Sequence, residues 1–190
     1  MIKKFSKESL RKHSACGEGV RWFLSQKETE PVAVVEKLIE EKHFDWANWA
    51  VVRCMTYKQY VSYAVFAAEQ VIDIYEKKNP DDKRPRQAID AAKKCIENPS
   101  KKNKDAAYAA AYAATNAAHA AYAATNATNA TNAAYAATNA TNAAYAATNA
   151  TNAAYAANAA NAAGDKMHIK LIRYGLKLLK TDSKDGDNDL

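Results

Sequence analysis

Residues 106–163 form an unbroken stretch of Ala, Tyr, Thr, Asn and a single His, with no charge, no Gly and no Pro. No Gly or Pro marks a turn in it and so much Ala suits no strand pattern, so helix is the expectation for these 58 of the 190 residues. It is a repeat whose cleanest unit, AAYAATNATN, occurs at Ala120–Asn129, Ala133–Asn142 and Ala143–Asn152. Each Thr and Asn costs about half a kcal/mol relative to Ala, so the tract alone is only partly helical. Its non-Ala stripe (Tyr108, Tyr112, Asn116, His119, Tyr122 and onward) advances by about 3.3 residues a step and winds left-handedly by roughly 30° each time. A single straight helix would run roughly 90 Å with the stripe passing more than once around it. The tract is therefore expected to be either one long helix wrapped by partners or a broken helical hairpin, and it offers no flat face. An ice-binding array is excluded by that winding, and stacking on nucleic acid lacks any Lys or Arg to meet phosphates. Self-association through small residues and Tyr is the best functional reading of the tract.

Outside the tract the chain has the length of one ordinary domain. Its net charge is +6, and the segment from Lys77 to Lys104 holds ten basic residues against Asp81, Asp82, Asp90 and Glu97, which equals the whole excess. Lys93, Lys94, Lys101 and Lys102 are the candidates for a phosphate-binding patch, giving an alternative reading as a nucleic-acid- or nucleotide-binding helical protein of phage or bacterial origin. A solvated helix face explains the same lysines. Cys16, Cys54 and Cys95 are odd in number and irregularly spaced, which fits neither a disulfide framework nor a metal site and points to the reducing cytoplasm. The basic N-terminus lacks an apolar signal core, and no run of eighteen apolar residues is present to span a membrane.

Taken in order, Ser6 caps a short first helix, and Cys16-Gly-Glu-Gly19 breaks it before the apolar run Val20–Leu24. Pro31 opens an amphipathic helix with Val32, Val35, Leu38 and Ile39 on its inner stripe. Asp45 is expected to cap a helix on which Trp46, Trp49 and Arg53 share a face. A longer helix follows from Thr56 to Lys77, closed by Asn79-Pro80-Asp81-Asp82, and another runs from Arg84 to Asn98 with Ala88, Ile89, Ala92 and Ile96 inward. Gly164 reads as the end of the repeat helix and Asp165 as the cap of a last amphipathic helix, whose apolar residues would close the core of the N-terminal part. No segment shows a strand pattern. The expected organisation is an all-α helical bundle at 1–105, the repeat helix at 106–163, a C-terminal helix at 164–180 packing on the bundle, and a disordered acidic tail at 181–190.

No P-loop, dinucleotide fingerprint or His/Asp cluster is present, so neither an enzyme nor a cofactor or metal site is expected. Cys16 and His13 are spaced i,i+3, but two such groups do not make a zinc site. Glu69 lies beside an apolar stripe and needs a partner, for which Arg53, Arg84 and Arg86 are candidates. Asp73 and Glu76 follow at i+4 and i+7, which places three carboxylates on one face, though the Glu-x-x-His pairs of a di-metal bundle are missing. Asp81, Asp82, Arg84 and Arg86 read as an interhelical turn fastened by acid–base pairs.

The run Phe66-Ala-Ala-Glu-Gln-Val71, then Tyr75-Glu-Lys-Lys-Asn-Pro80-Asp-Asp-Lys-Arg84-Pro-Arg86-Gln-Ala-Ile89-Asp-Ala-Ala92, followed by a Tyr-punctuated Ala tract, resembles the immunity proteins of the Imm-five-like group. Ala15–Phe23 and Asp45–Trp49 look like companions of that motif, so that the resemblance spans about residues 15–112. It implies an all-helical, non-enzymatic protein of bacteria or phages that neutralises a toxin by protein–protein binding, and it brings no catalytic residues. On this reading the partner surface is expected at Trp46, Trp49, Glu69, Asp81, Asp82, Arg84 and Arg86. The positive net charge is unlike an inhibitor shaped to cover a nuclease's basic site.

Overall fold

The computed structural model describes residues 1–107, 109 and 165–185, with the side chains of the last segment given from Lys166 to Thr181. Expectations placed on the repeat, on Gly164 and on residues 186–190 lie outside the described residues. Among the described residues there is no strand. The elements are α1 (Lys7–Lys12), α2 (Gly17–Ser25), α3 (Pro31–Glu40), α4 (Phe44–Arg53), α5 (Tyr57–Glu69), α6 (Ile72–Lys78), α7 (Arg84–Glu97) and α8 (Asp165–Asp185). Residues 101–107 are also helical.

Local chemistry sets most of these boundaries. Ser6 and Ser9 form a reciprocal capping box at α1, and Thr56 and Gln59 form another at α5. Pro31 begins α3, where Glu30 accepts from the Ala33 amide at 2.9 Å. Three expected boundaries are corrected. Cys16 does not break a helix: its sulfur caps α2 by accepting from the Gly19 amide at 3.3 Å, and the glycines lie in the first turn. Asp45 is inside α4, which starts at Phe44 behind His43 with no side-chain cap. The helix expected from Thr56 to Lys77 is two helices, broken at Gln70 and Val71. No Gly or Pro marks that break. The Gln70 side chain stabilises it by donating to the Phe66 carbonyl at 3.1 Å and accepting from Lys170 of α8 at 2.5 Å, while Val71 turns into the core.

The core is layered along one path. α3 packs on α4, α4 on α8, α8 on α5, and α5 on α7, with α6 folded against α5 and α1 against α2. The chain before α1 is tied beneath this stack, since the Ile2 amide donates to Arg53 O at 2.8 Å and the Phe5 amide to Thr29 O at 2.9 Å. From α8, Leu171, Ile172 and Leu176 are buried against α4 and α5, each contributing about 1.5–3 kcal/mol. Gly175 permits that approach: a Cβ there would stand 3.1 Å from Val51, Met55 and Tyr63 side-chain atoms. Gln59 fixes the register by donating to Leu178 O at 2.7 Å. The C-terminal helix continues to Asp185, beyond the boundary expected at residue 180.

Candidate functional site

The α4 sequence places Asp45, Trp46, Trp49 and Arg53 at spacings of one residue, three and four, so the last three share one face at successive turns. That face closes a cleft of about 430 Å³ against α2, the α1–α2 corner and α3, with Gly19, Trp22, Ser14, Cys16, Val34 and Leu38 among its walls. The chain has three tryptophans, Trp22, Trp46 and Trp49, and all of them line this cleft.

Each ring is held by a different group. The Trp22 indole N–H donates to Glu41 Oε2 at 2.6 Å. Trp46 stacks on His43, with ring centroids 4.4 Å apart and planes at 21°. Trp49 lies beneath Arg53, whose guanidinium carbon is 4.1 Å from the ring centroid and whose Nη1 donates to Trp49 O at 3.0 Å. Gly19 lets α2 come close to Trp46, since a Cβ there would be 3.9 Å from the indole and 3.3 Å from Cys16 Sγ. Behind α4, buried Asn48 accepts a hydrogen bond from the Tyr63 hydroxyl at 2.8 Å, and burial raises the pKa of that hydroxyl.

Two sharp helix ends frame the cleft. After α1, Ser14 adopts φ 57°, the Ser14 amide donates to Arg11 O and the Ala15 amide to Leu10 O. After α3, Lys42 adopts φ 61°, the Lys42 amide donates to Ile39 O and the His43 amide to Leu38 O. Both are Schellman ends, and both put a side chain where glycine is the usual choice. The second delivers His43 and Glu41 to their tryptophans. Desolvation, followed by the positive charge of Arg53 and its neighbours, lowers the pKa of His13 beside the cleft.

The second expected region, the α6–α7 turn, has a different character. Asp82 accepts from the Arg84 amide at 3.1 Å, from Arg84 Nε at 2.9 Å and Nη2 at 2.6 Å, and from the buried Tyr75 hydroxyl at 2.6 Å. Its carboxyl is drawn down to about 2, chiefly by Arg84, while the Tyr75 hydroxyl is raised by burial and then by Asp82. Arg86 reaches back to Glu76 through Nε at 2.9 Å and Nη2 at 2.6 Å, and to Asp73 at 3.1 Å. Asp81 is exposed. Glu69 does not meet Arg53, Arg84 or Arg86; it pairs with Lys93 at 2.6 Å, because α7 runs alongside α5. The four lysines of the alternative patch are thereby divided: Lys93 is on Glu69, Lys101 is 2.6 Å from Asp105, and Lys94 and Lys102 are exposed.

Sequence reasoning found Trp46, Trp49 and Arg53 together but missed Trp22, Glu41 and His43, which come from other segments. The signal available was that every tryptophan precedes Arg53 in the chain. Among the described residues no group of three His, Cys, Asp or Glu side chains gathers to hold a metal, and no helix is long and apolar enough to cross a membrane. Cys54 is buried, with its thiol pushed up to about 12, which makes it unreactive.

Among the described residues the fold is all-helical, and an aromatic cleft opens between α2, α3 and α4. The chain belongs to the Imm-5 like putative immunity protein family, which matches residues 51–187. That span is shifted from the resemblance expected at 15–112: it starts within α4, after Trp46 and Trp49, and ends two residues past α8. No curated protein and no solved structure matches the chain.

Proposed function

We propose that the protein is a non-enzymatic immunity protein that neutralises a protein toxin by docking it at the tryptophan cleft. The observation that carries this reading is the gathering of all three tryptophans and Arg53 in one cleft, since Trp and Arg are the residues that most often dominate binding energy at protein interfaces. Family membership supplies the class of partner. The turn residues Asp82, Arg84 and Arg86, and likewise Glu69, bond to groups of their own bundle; they hold the surface together and contribute less to the partner. The protein acts in the cytoplasm, where its free cysteines stay reduced.

Co-expression with a toxin encoded beside the gene tests this. The intact chain is expected to restore growth, and the Trp46→Ala/Trp49→Ala double variant, still folded by circular dichroism, to bind the toxin at least about 30-fold more weakly and to fail in rescue. Full rescue by that folded variant would overturn the cleft assignment. Salt-dependent retention on DNA, lost when Lys93, Lys94, Lys101 and Lys102 become Ala, would instead establish the nucleic-acid reading.

A further inference from the structure

α8 turns an apolar side to the bundle and a basic side to solvent. Leu171, Ile172 and Leu176 are buried, while Lys166, Lys170, Arg173, Lys177 and Lys180 are all exposed. At about 100° a residue these five cations fall within about 80° of the helix circumference, in a stripe about 21 Å long. Little opposes them. Glu36 of α3 lies 3.2 Å from Lys180, and Glu69 of α5 is committed to Lys93. Lys170 donates to the neutral Gln70, and among the described residues no carboxylate pairs with Lys166, Lys170, Arg173 or Lys177. Arg173, Lys177 and Lys180 also wall a trough of about 440 Å³ against α3, whose walls include one acid, Glu36.

We propose that this stripe lies along the phosphate backbone of double-stranded DNA and binds it without reading sequence. It is separate from the tryptophan cleft, which none of these five residues lines, and it does not rest on the toxin-docking reading. A duplex carries one phosphate per about 1.7 Å of axis, so about twelve lie along the length of the stripe and each long side chain has one within reach. Four of the five cations are Lys, a residue depleted at protein–protein interfaces, and no exposed apolar side chain sits among them to form the centre of such an interface. A bilayer would need the apolar face of α8, and that face is buried in the core. Single strands need rings on which bases can stack, whereas the rings beside the stripe, Tyr174 and Phe66, are half-buried and stack on each other with centroids 3.9 Å apart.

Fluorescence anisotropy of a labelled duplex of about 20 base pairs, titrated with the full chain, tests this. With four uncommitted cations, log K against log salt is expected to fall with a slope of about −4, which is about a hundredfold between about 50 and about 200 mM salt. AT-rich and GC-rich duplexes should bind equally. Lys166→Gln/Arg173→Gln/Lys177→Gln should bind at least about tenfold more weakly, with a slope of about −1. The charge-matched Lys94→Gln/Lys101→Gln/Lys102→Gln should lose less than about threefold. Competition asks the same question of the unaltered protein: polyglutamate and phosphatidylserine vesicles, at equal charge concentration, are expected to bind more weakly than the duplex. Absence of duplex binding at about 50 mM salt overturns the proposal, as does an equal or greater loss in the second triple variant. Equal or tighter binding of polyglutamate overturns it in favour of an acidic polypeptide, and equal or tighter binding of the vesicles in favour of a membrane surface.

Discussion

The tryptophan cleft and the Asp82 turn both gather aromatic, Arg and acidic side chains, but they direct them oppositely. In the turn, Arg84, Arg86 and the Tyr75 hydroxyl aim at carboxylates of the same hairpin, so the donors are satisfied within α6 and α7. In the cleft, the polar groups hold rings: Glu41 takes the Trp22 N–H at its edge, while His43 stacks on one face of Trp46 and Arg53 covers one face of Trp49. The family match covers the turn and begins after the three tryptophans. The difference teaches that the turn, which the family match covers, holds helices together, whereas the cleft proposed for a partner draws its three tryptophans from the segment before that match.

Breaking the turn should therefore damage stability without touching the cleft. Asp82→Ala removes the carboxylate on which the Tyr75 hydroxyl and the Arg84 guanidinium converge and is expected to cost about 2–3 kcal/mol, read from urea denaturation, with the tryptophan indole N–H signals of the folded protein unchanged. An equal loss of toxin binding at saturating folded fraction would erase the distinction. A smaller effect comes from acid. The folded Asp82 carboxyl sits at about 2, below its unfolded value of about 3.9, so its stabilisation is complete above the unfolded value and is lost as pH falls through the folded one. Lowering the pH from about 4 to about 2 should remove about 1 kcal/mol through this group after solvent screening, and Asp82→Asn should flatten that part of the urea-midpoint profile. The smallest effect belongs to the cleft corners. Lys42→Gly relieves a left-handed residue at φ 61° and should stabilise the chain by about 0.5–1 kcal/mol, visible as a raised urea midpoint. If it also weakens toxin binding, then the corner's backbone is part of how His43 and Trp46 are presented.

The helical class and several boundaries could be read from local chemistry alone. Position and period gave Pro31 and most of the inward faces of α3 and α7, but Val34 and Cys95 are buried outside the expected stripes, while Val32, Ile39 and Ile96 are only partly covered. The break at Gln70–Val71 could not be read so, because it depends on Lys170 of α8, distant in sequence and meeting Gln70 only in the folded state. Glu69 and Lys93 were separated for the same reason, since only the packing of α7 on α5 pairs them. At the cleft, the α4 contribution followed from helical spacing, whereas Trp22, Glu41 and His43 depend on two left-handed corners that carry no glycine and so give no punctuation.

The packing of α8 against Gly175's neighbours also sets an order of events during synthesis. Val51, Met55 and Tyr63 leave the ribosome well before the helix that covers them, because the whole repeat is translated in between. At typical elongation rates those 58 repeat residues take about 3–12 s. For that interval the nascent chain carries an unroofed apolar face, and a chaperone that shields it would gain most by binding while the repeat is emerging.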